Sequence, residues 1–500
     1  MDRKITKVIT KALVLVLVFS MLASLAYCGM FAEKPQYDLF DEKNLLPVQN
    51  EDGEWGYINK KGKEVIKCEY DAALPFSEGL AAVCDDGEWG YINKKGDEVI
   101  KCEYSDARPF DKDGYAVVCK DGEYGFINKK GKEVIKCKYE ELEIFNEFDL
   151  CRAKKDGLYG VIDRKGEKIV DFDYVTITEF TDDGYAVVKN AEGLCGVVDK
   201  KGETVIKEKY TSISAAGDDL FAKNGLVLAQ NDKGKYGFLD KKGEKKVDFD
   251  FDYAYSFADN GLAAVGEIKE SDDLEDIFNV TAEWGFIDKS GDYVIDAEFE
   301  SARPFAKNGL AAVKEDGEWG YIQKNGKFAI DSEYDSASTF DEDTGLARVG
   351  VKDKNDEVKY GVINKSGKLI IDTDYDDIDI TKTCIIAEDE GSDVLFSLSG
   401  KELESYDSIS QATYECDYLI ATDDDETALI SSKGKIKIDF TDDYRILAVT
   451  DDGFVVAQDD DGVYVFLKMN GKEAFETEDD YYSCIPYARI DMYFNMDLYY

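Results

Sequence analysis

Short apolar runs separated by charged turns recur along almost the whole chain. In the stretch from Gly53 to Phe76, GEWGYINKKGKEVIKCEYDAALPF, the run Trp55-Gly56-Tyr57-Ile58 is too short for a helix and predicts a strand buried on both faces. Side chains alternate along a strand, so Trp55 and Tyr57 share one face and Gly56 and Ile58 the other. There the missing side chain is expected to admit a neighbouring sheet closely. Asn59-Lys60-Lys61-Gly62 reads as a hairpin turn in which Asn caps through its own side chain and Gly takes the left-handed conformation, followed by a second strand through Val65-Ile66. Leu80 to Val83 predicts another strand, and Tyr70 to Phe76 a fourth extended piece anchored by its Tyr and Phe. Each unit thus contains four short strands.

The unit repeats. Gly87 to Phe110 and Gly122 to Phe145 are near copies, and the turn glycines Gly62, Gly96, Gly131, Gly166, Gly202, Gly243, Gly291, Gly326, Gly367, Gly400, Gly434 and Gly471 mark twelve phases. The period is about 35 residues, with longer intervals into Gly243, Gly291, Gly367 and Gly471. One phase demands a large aromatic followed by glycine: Trp55-Gly56, Trp89-Gly90, Tyr124-Gly125, Tyr159-Gly160, Tyr236-Gly237, Trp284-Gly285, Trp319-Gly320 and Tyr360-Gly361. In the last three units Asp393-Val394, Thr427-Ala428 and Tyr464-Val465 replace that pair.

These residues carry a resemblance. The W-G-[YF]-I-[ND]-K-x-G core resembles the bacterial WG-repeat family over about Tyr37 to Phe475. The resemblance implies an all-β repeat fold, β-propeller-like by analogy, and no settled activity. The four-strand unit independently fits a compact propeller blade. Twelve blades suggest either two six-bladed propellers, residues 37–252 and 253–475 dividing near Asp252, or an open superhelical stack.

The two ends read differently. Arg3, Lys4, Lys7 and Lys11 precede an apolar run from Ala12 to Tyr27 that is short for a membrane span, so residues 1–28 are expected to be a secretory signal, with 29–36 a short linker. Leu25-Ala26-Tyr27-Cys28-Gly29 resembles a lipobox, which would make Cys28 the lipid-modified first residue. Bulky Tyr27 departs from that pattern and leaves cleavage after Ala26, or an uncleaved anchor, open. The expectation is an exported chain, either a cell-surface lipoprotein or secreted, touching membrane only through this end. Residues 476–500, rich in tyrosine, look like the start of a further unit that caps or closes the array.

A net charge of −46 argues against nucleic acid, because a phosphate backbone is bound by neutralising it. It permits cationic partners, although acidic residues spread through every unit read first as a solvated exterior. With 44% hydrophobic and 13% aromatic residues the chain has ample material for packed cores. Histidine is absent, which removes the commonest general base and metal ligand. Cys68, Cys102 and Cys137 share one repeat phase and Cys84 and Cys119 another, so they read as small strand residues with free thiols.

Acidic runs at Asp372 to Asp377, Asp423 to Glu426 and Asp459 to Gly462 lack the alternate ligand spacing of a calcium loop, and the stretch Asp353 to Glu357 lacks its glycine and distal glutamate. The insertion from Gly266 to Ala282 and the one from Lys352 to Lys359 break the period, where specificity tends to reside. No catalytic, cofactor-binding or metal residue is assigned. The expected function is a non-enzymatic extracytoplasmic scaffold that binds a protein or a glycan through repeated exposed positions, including the phase of Arg108 and Arg303. Alternatives are a propeller-housed hydrolase using paired carboxylates and a calcium-dependent surface adhesion protein.

Overall fold

The computed structural model describes residues 37–41, 43–268, 282–412, 417–475, 481, 483–484 and 487–488. The signal segment with Cys28, the linker, most of the insertion before Ala282 and most of the C-terminal tail lie outside them. The described residues are all-β. They form eleven four-stranded sheets and one three-stranded sheet, each a blade-like antiparallel meander, with a two-stranded pair between Tyr37–Asp38 and Tyr487–Ala488.

The second sheet shows the plan: Ala72–Ala73, Leu80–Asp85, Glu88–Asn93 and Glu98–Tyr104 lie side by side in chain order. The aromatic-glycine strand is therefore the third, and the strand after the lysine-rich turn is the outer fourth. The turn forms for the local reasons its sequence contains. Asn128 Oδ1 accepts from the backbone N–H of Lys130 (3.0 Å) and Lys132 (3.2 Å), and Gly131 takes a φ of +73°. The second insertion is a longer hairpin of the same kind, pairing Lys352 with Val358, with Asp353 in the capping place. Backbone N–H groups of Glu357 and Asn355 hold the Asp353 carboxyl below the usual range. Asn128→Ala is expected to cost about 1 kcal/mol, because two backbone donors lose their acceptor; hydrogen exchange at Lys130 and Lys132 should quicken while other sheets stay unchanged.

The third strand's glycine has a different cause from the one expected. Trp55 pairs with Tyr70 and Tyr57 with Ile66, so Gly56 alone faces Lys67, Cys68 and Glu69 in a wide bulge. A Cβ on Gly56 would lie 2.6 Å from Cys68 N and from Ile66 O. It is the outer strand of the same sheet that folds over the glycine, rather than a neighbouring sheet.

Contacts divide the chain into two compact units. In the first, which holds the sheets at both ends of the chain, the first sheet consists of Leu45–Gln49, Trp55–Asn59 and Glu64–Tyr70. Ser483–Cys484 completes it by pairing with Val48 and Gln49. A core of Leu46, Val48, Ile58, Val456, Tyr464, Phe466 and Tyr481 packs the twelfth sheet on the first, so the first sheet is not the free end of an open stack. In the second unit each sheet from the fourth to the tenth packs on its predecessor. Phe238, Val247, Phe251, Ala263, Val265 and Ile287 share one core across Asp252, leaving no break where a two-propeller division would fall. The joints between sheets are aromatic: Tyr57 on Phe76, Phe126 on Phe145, Phe286 on Phe305 and Tyr321 on Phe340, with ring centroids 4.5–5.1 Å apart.

Candidate binding surface

What each sheet offers to solvent follows from strand alternation. On the outer strand Ile66 is buried while Val65, Lys67 and Glu69 point outward, and the same three places carry Val134, Lys136 and Lys138, or Ala329, Asp331 and Glu333. The inward positions repeat from sheet to sheet, the first outward place stays mostly apolar, and the last two outward places change sign. From the sixth to the ninth sheet the outward pair is acidic throughout: Asp248 and Asp250, Asp296 and Glu298, Asp331 and Glu333, Asp372 and Asp374.

The aromatics that mark the repeat, Trp55, Trp89, Tyr124, Tyr159, Tyr236, Trp284, Trp319 and Tyr360, are all half-buried beside their buried glycines. Over four of them the chain lays a guanidinium of its own: Arg108 on Tyr124 (5.9 Å), Arg152 on Tyr159 (5.7 Å), Arg303 on Trp319 (5.3 Å) and Arg348 on Tyr360 (4.7 Å). Three of these arginines also reach a backbone carbonyl of the next sheet's first strand: Arg108 that of Leu142 (3.5 Å), Arg348 that of Ile378 (3.3 Å) and Arg152 that of Ile177. Arg108 and Arg303, expected as exposed contact positions, are thus half-buried struts, because their stems lie along the sheet and their charge is spent on its aromatic.

A cavity of about 360 Å³ lies between the first and second sheets, lined by Tyr70, Val83, Ile92 and Cys102 with the carboxylates of Glu69, Asp85 and Glu98. Burial, then Glu98 and Asp85, push the Cys102 thiol up to about 11, which leaves it protonated and unreactive at neutral pH. In the third sheet the equivalent of Asp85 is Lys120, whose Nζ pairs with Glu103 at 3.1 Å. No disulfide joins any of the nine described cysteines to another. Among the described residues no group of three or more Cys, Asp or Glu side chains is arranged to hold a metal ion, and no helix is long and apolar enough to cross a membrane. Asp376, in the acidic run after Asp372, is paired with Lys359 and accepts from Glu390 N–H at 3.0 Å; Asp459 caps a turn through the N–H of Asp461 and Val463.

The WG-containing repeat family matches residues 55–89, 89–124, 124–159, 159–193, 236–267, 284–319, 319–354 and 360–380, more than half of the chain. The chain belongs to that family. Every match begins on a half-buried third-strand aromatic and four of them end on the next one, so this WG-repeat chain is defined by that aromatic and the bulge beside it. The matches skip Cys195-Gly196, where the aromatic is missing, and end at residue 380, before Val394, Ala428 and Val465 take the glycine's place. No curated protein matches the chain. Similar solved structures include a eukaryotic initiation factor (12% identity, TM-score 0.37, covering 73% of this chain and 96% of that one). The tricorn protease is similar at 12% identity and TM-score 0.25 (80% and 47% covered), and Saccharomyces cerevisiae Sqt1 at 12% and 0.28 (59% and 95%).

Proposed function

We propose that this WG-repeat chain is an exported, non-enzymatic scaffold, lipid-tethered or secreted, that binds a partner through the outward side chains of its serial sheets. One observation carries the reading. Inside, the sheets repeat the same isoleucine, glycine and aromatic positions; outside, the last two outward places of each outer strand hold Lys in one sheet and Asp or Glu in another. Residues that serve only the fold would repeat with it, whereas a surface that discriminates partners varies the side chains it shows on a constant frame. Net charge and the acidic outward pairs of four consecutive sheets favour partners with complementary positive charge. The N-terminal signal, with Cys28 as the attachment residue, supplies the expected route out of the cytoplasm.

The test is charge reversal on that surface. Asp296→Lys, Glu298→Lys, Asp331→Lys and Glu333→Lys together should abolish saturable binding of whichever protein or glycan the purified chain retains. The melting temperature should stay within a few degrees of the parent's, because all four side chains are exposed. A chain that retains no saturable partner, or one whose partner is indifferent to outward substitutions in every sheet, would sink the reading.

A further inference from the structure

The seventh sheet differs from most others at three places that meet. Its first strand carries Tyr253, with Tyr255 just beyond it, where other sheets have Ser301, Ser336 or Ala72 at the first position and Ser338, Ser214 or Arg303 at the second. Its second strand carries Gly266, paired with Tyr253 on one side and with Trp284 on the other, a place where the ninth sheet also has a glycine, Gly350, and other sheets have Cys84, Lys154 or Lys314. A Cβ on Gly266 would lie 2.8 Å from the indole Cε2, so the Trp284 ring lies down over the glycine. There it meets both tyrosines: Tyr253 at 5.7 Å and 19°, Tyr255 at 5.8 Å and 34°. Tyr253 and Tyr255 remain 44% and 42% exposed. Three rings thus form a continuous open aromatic surface, the kind of patch that soluble proteins rarely expose without use.

The rest of the molecule shows what such a ring takes. In four sheets a guanidinium covers the corresponding aromatic, delivered from the Arg108 and Arg303 position or from the Arg152 and Arg348 position. In the seventh sheet those positions are Tyr255 and Ala264: the first extends the aromatic surface and the second has no reach. The chain supplies no cation to Trp284 from either place. The neighbourhood is acidic, with Asp250, Asp296 and Glu298 exposed on the outer strands of the sixth and seventh sheets, and it favours positive charge arriving from outside.

We propose that Tyr253, Tyr255 and Trp284 form a platform whose exposed π faces receive an arginine or lysine side chain of a basic partner protein, as the aromatics of four other sheets receive the chain's own arginines. The proposal rests on the binding-surface reading above and names one contact within it. The guanidinium lies on the exposed π faces, as Arg303 lies on Trp319, and the acidic outer strands draw the partner in.

The test uses the full chain and calorimetric titration with a peptide of alternating arginine and glycine, beside its citrulline counterpart, which keeps the shape and loses the charge. The variant is Tyr253→Ser with Tyr255→Ser, residues that Ser301, Ser336, Ser214 and Ser338 show to fit equivalent places; an unchanged melting curve checks the fold. The arginine peptide should bind the parent and lose about tenfold in affinity on the variant, and the citrulline peptide should bind neither. Equal binding of the arginine peptide to parent and variant would overturn the platform, placing the cations on the acidic exterior at large, and would leave the scaffold reading standing. A neutral hexasaccharide of N-acetylglucosamine that binds the parent and is lost on the variant would overturn the basic partner in favour of a glycan, again within the scaffold reading. That reading fails separately, when the charge-reversal experiment finds no partner.

Discussion

Phe340→Ala is expected to cost about 3–5 kcal/mol, concentrated in two neighbouring sheets. Phe340 is 2% exposed and packs on Tyr321 with ring centroids 4.7 Å apart, in a core with Leu310, Ala312, Ala347, Val349 and Ile363. Tyr321 lies in the third strand of the eighth sheet and Phe340 just after the first strand of the ninth, so the ring is a joint between sheets. Truncation removes one of the largest buried surfaces of that joint and leaves a cavity walled by strands whose ladders hold them in place. In a repeat array such a loss stays local, since each sheet is stabilised mainly by its nearest neighbours. Hydrogen exchange should therefore show the amides of Glu318–Gln323 and Leu346–Lys352 losing protection while the first and second sheets keep theirs. Val294→Ala, at a side chain 47% exposed, should change stability by less than about 0.5 kcal/mol. A small effect at Phe340, comparable to that at Val294, would mean that the sheets close over the missing ring.

The sequence makes legible whatever is local. Asn59, Asn128 and Asp240 reveal their turns because an Asx side chain and a left-handed glycine act within five residues, and Trp55 and Ile66 reveal their strands by alternation. Three things escape that reading. The tail is expected to cap or close the array, but its pairing of Ser483–Cys484 with Val48 and Gln49, across more than four hundred residues, no local pattern announces. Arg108 and Arg303 have the composition of surface contacts, and only the position of Tyr124 and Trp319 beneath them shows their charge to be in use. The glycine of the repeat looks like a gap for a neighbouring sheet because a strand pattern carries no record of bulges. A trace of the bulge does exist in the spacing. Trp55 to Tyr70 is matched in length by Trp89 to Tyr104 and Trp319 to Tyr334, while Thr427 reaches Thr441 in one residue fewer, in a sheet where Ala428 stands for the glycine.

That difference in length yields the second prediction. Gly90→Ala is expected to destabilise the second sheet by about 3 kcal/mol, although alanine is the smallest possible addition and no left-handed conformation is needed there. The cause is the Cβ itself, which would lie 2.6 Å from Cys102 N and 2.6 Å from Ile100 O. Both are backbone atoms in a hydrogen-bonded strand, so nothing flexible can yield. The eleventh sheet shows how the clash is avoided: Thr427 pairs with Thr441 and Leu429 with Ile438, so only Asp439 and Phe440 face Ala428, where three residues face each glycine. Gly90→Ala combined with deletion of Cys102 reproduces that shorter bulge and should recover at least half of the lost stability in urea unfolding, even though deleting Cys102 alone removes a native residue. A double change that is worse than Gly90→Ala by the full cost of the deletion would show the two positions to be independent, and the glycine would then need a reason other than the outer strand above it.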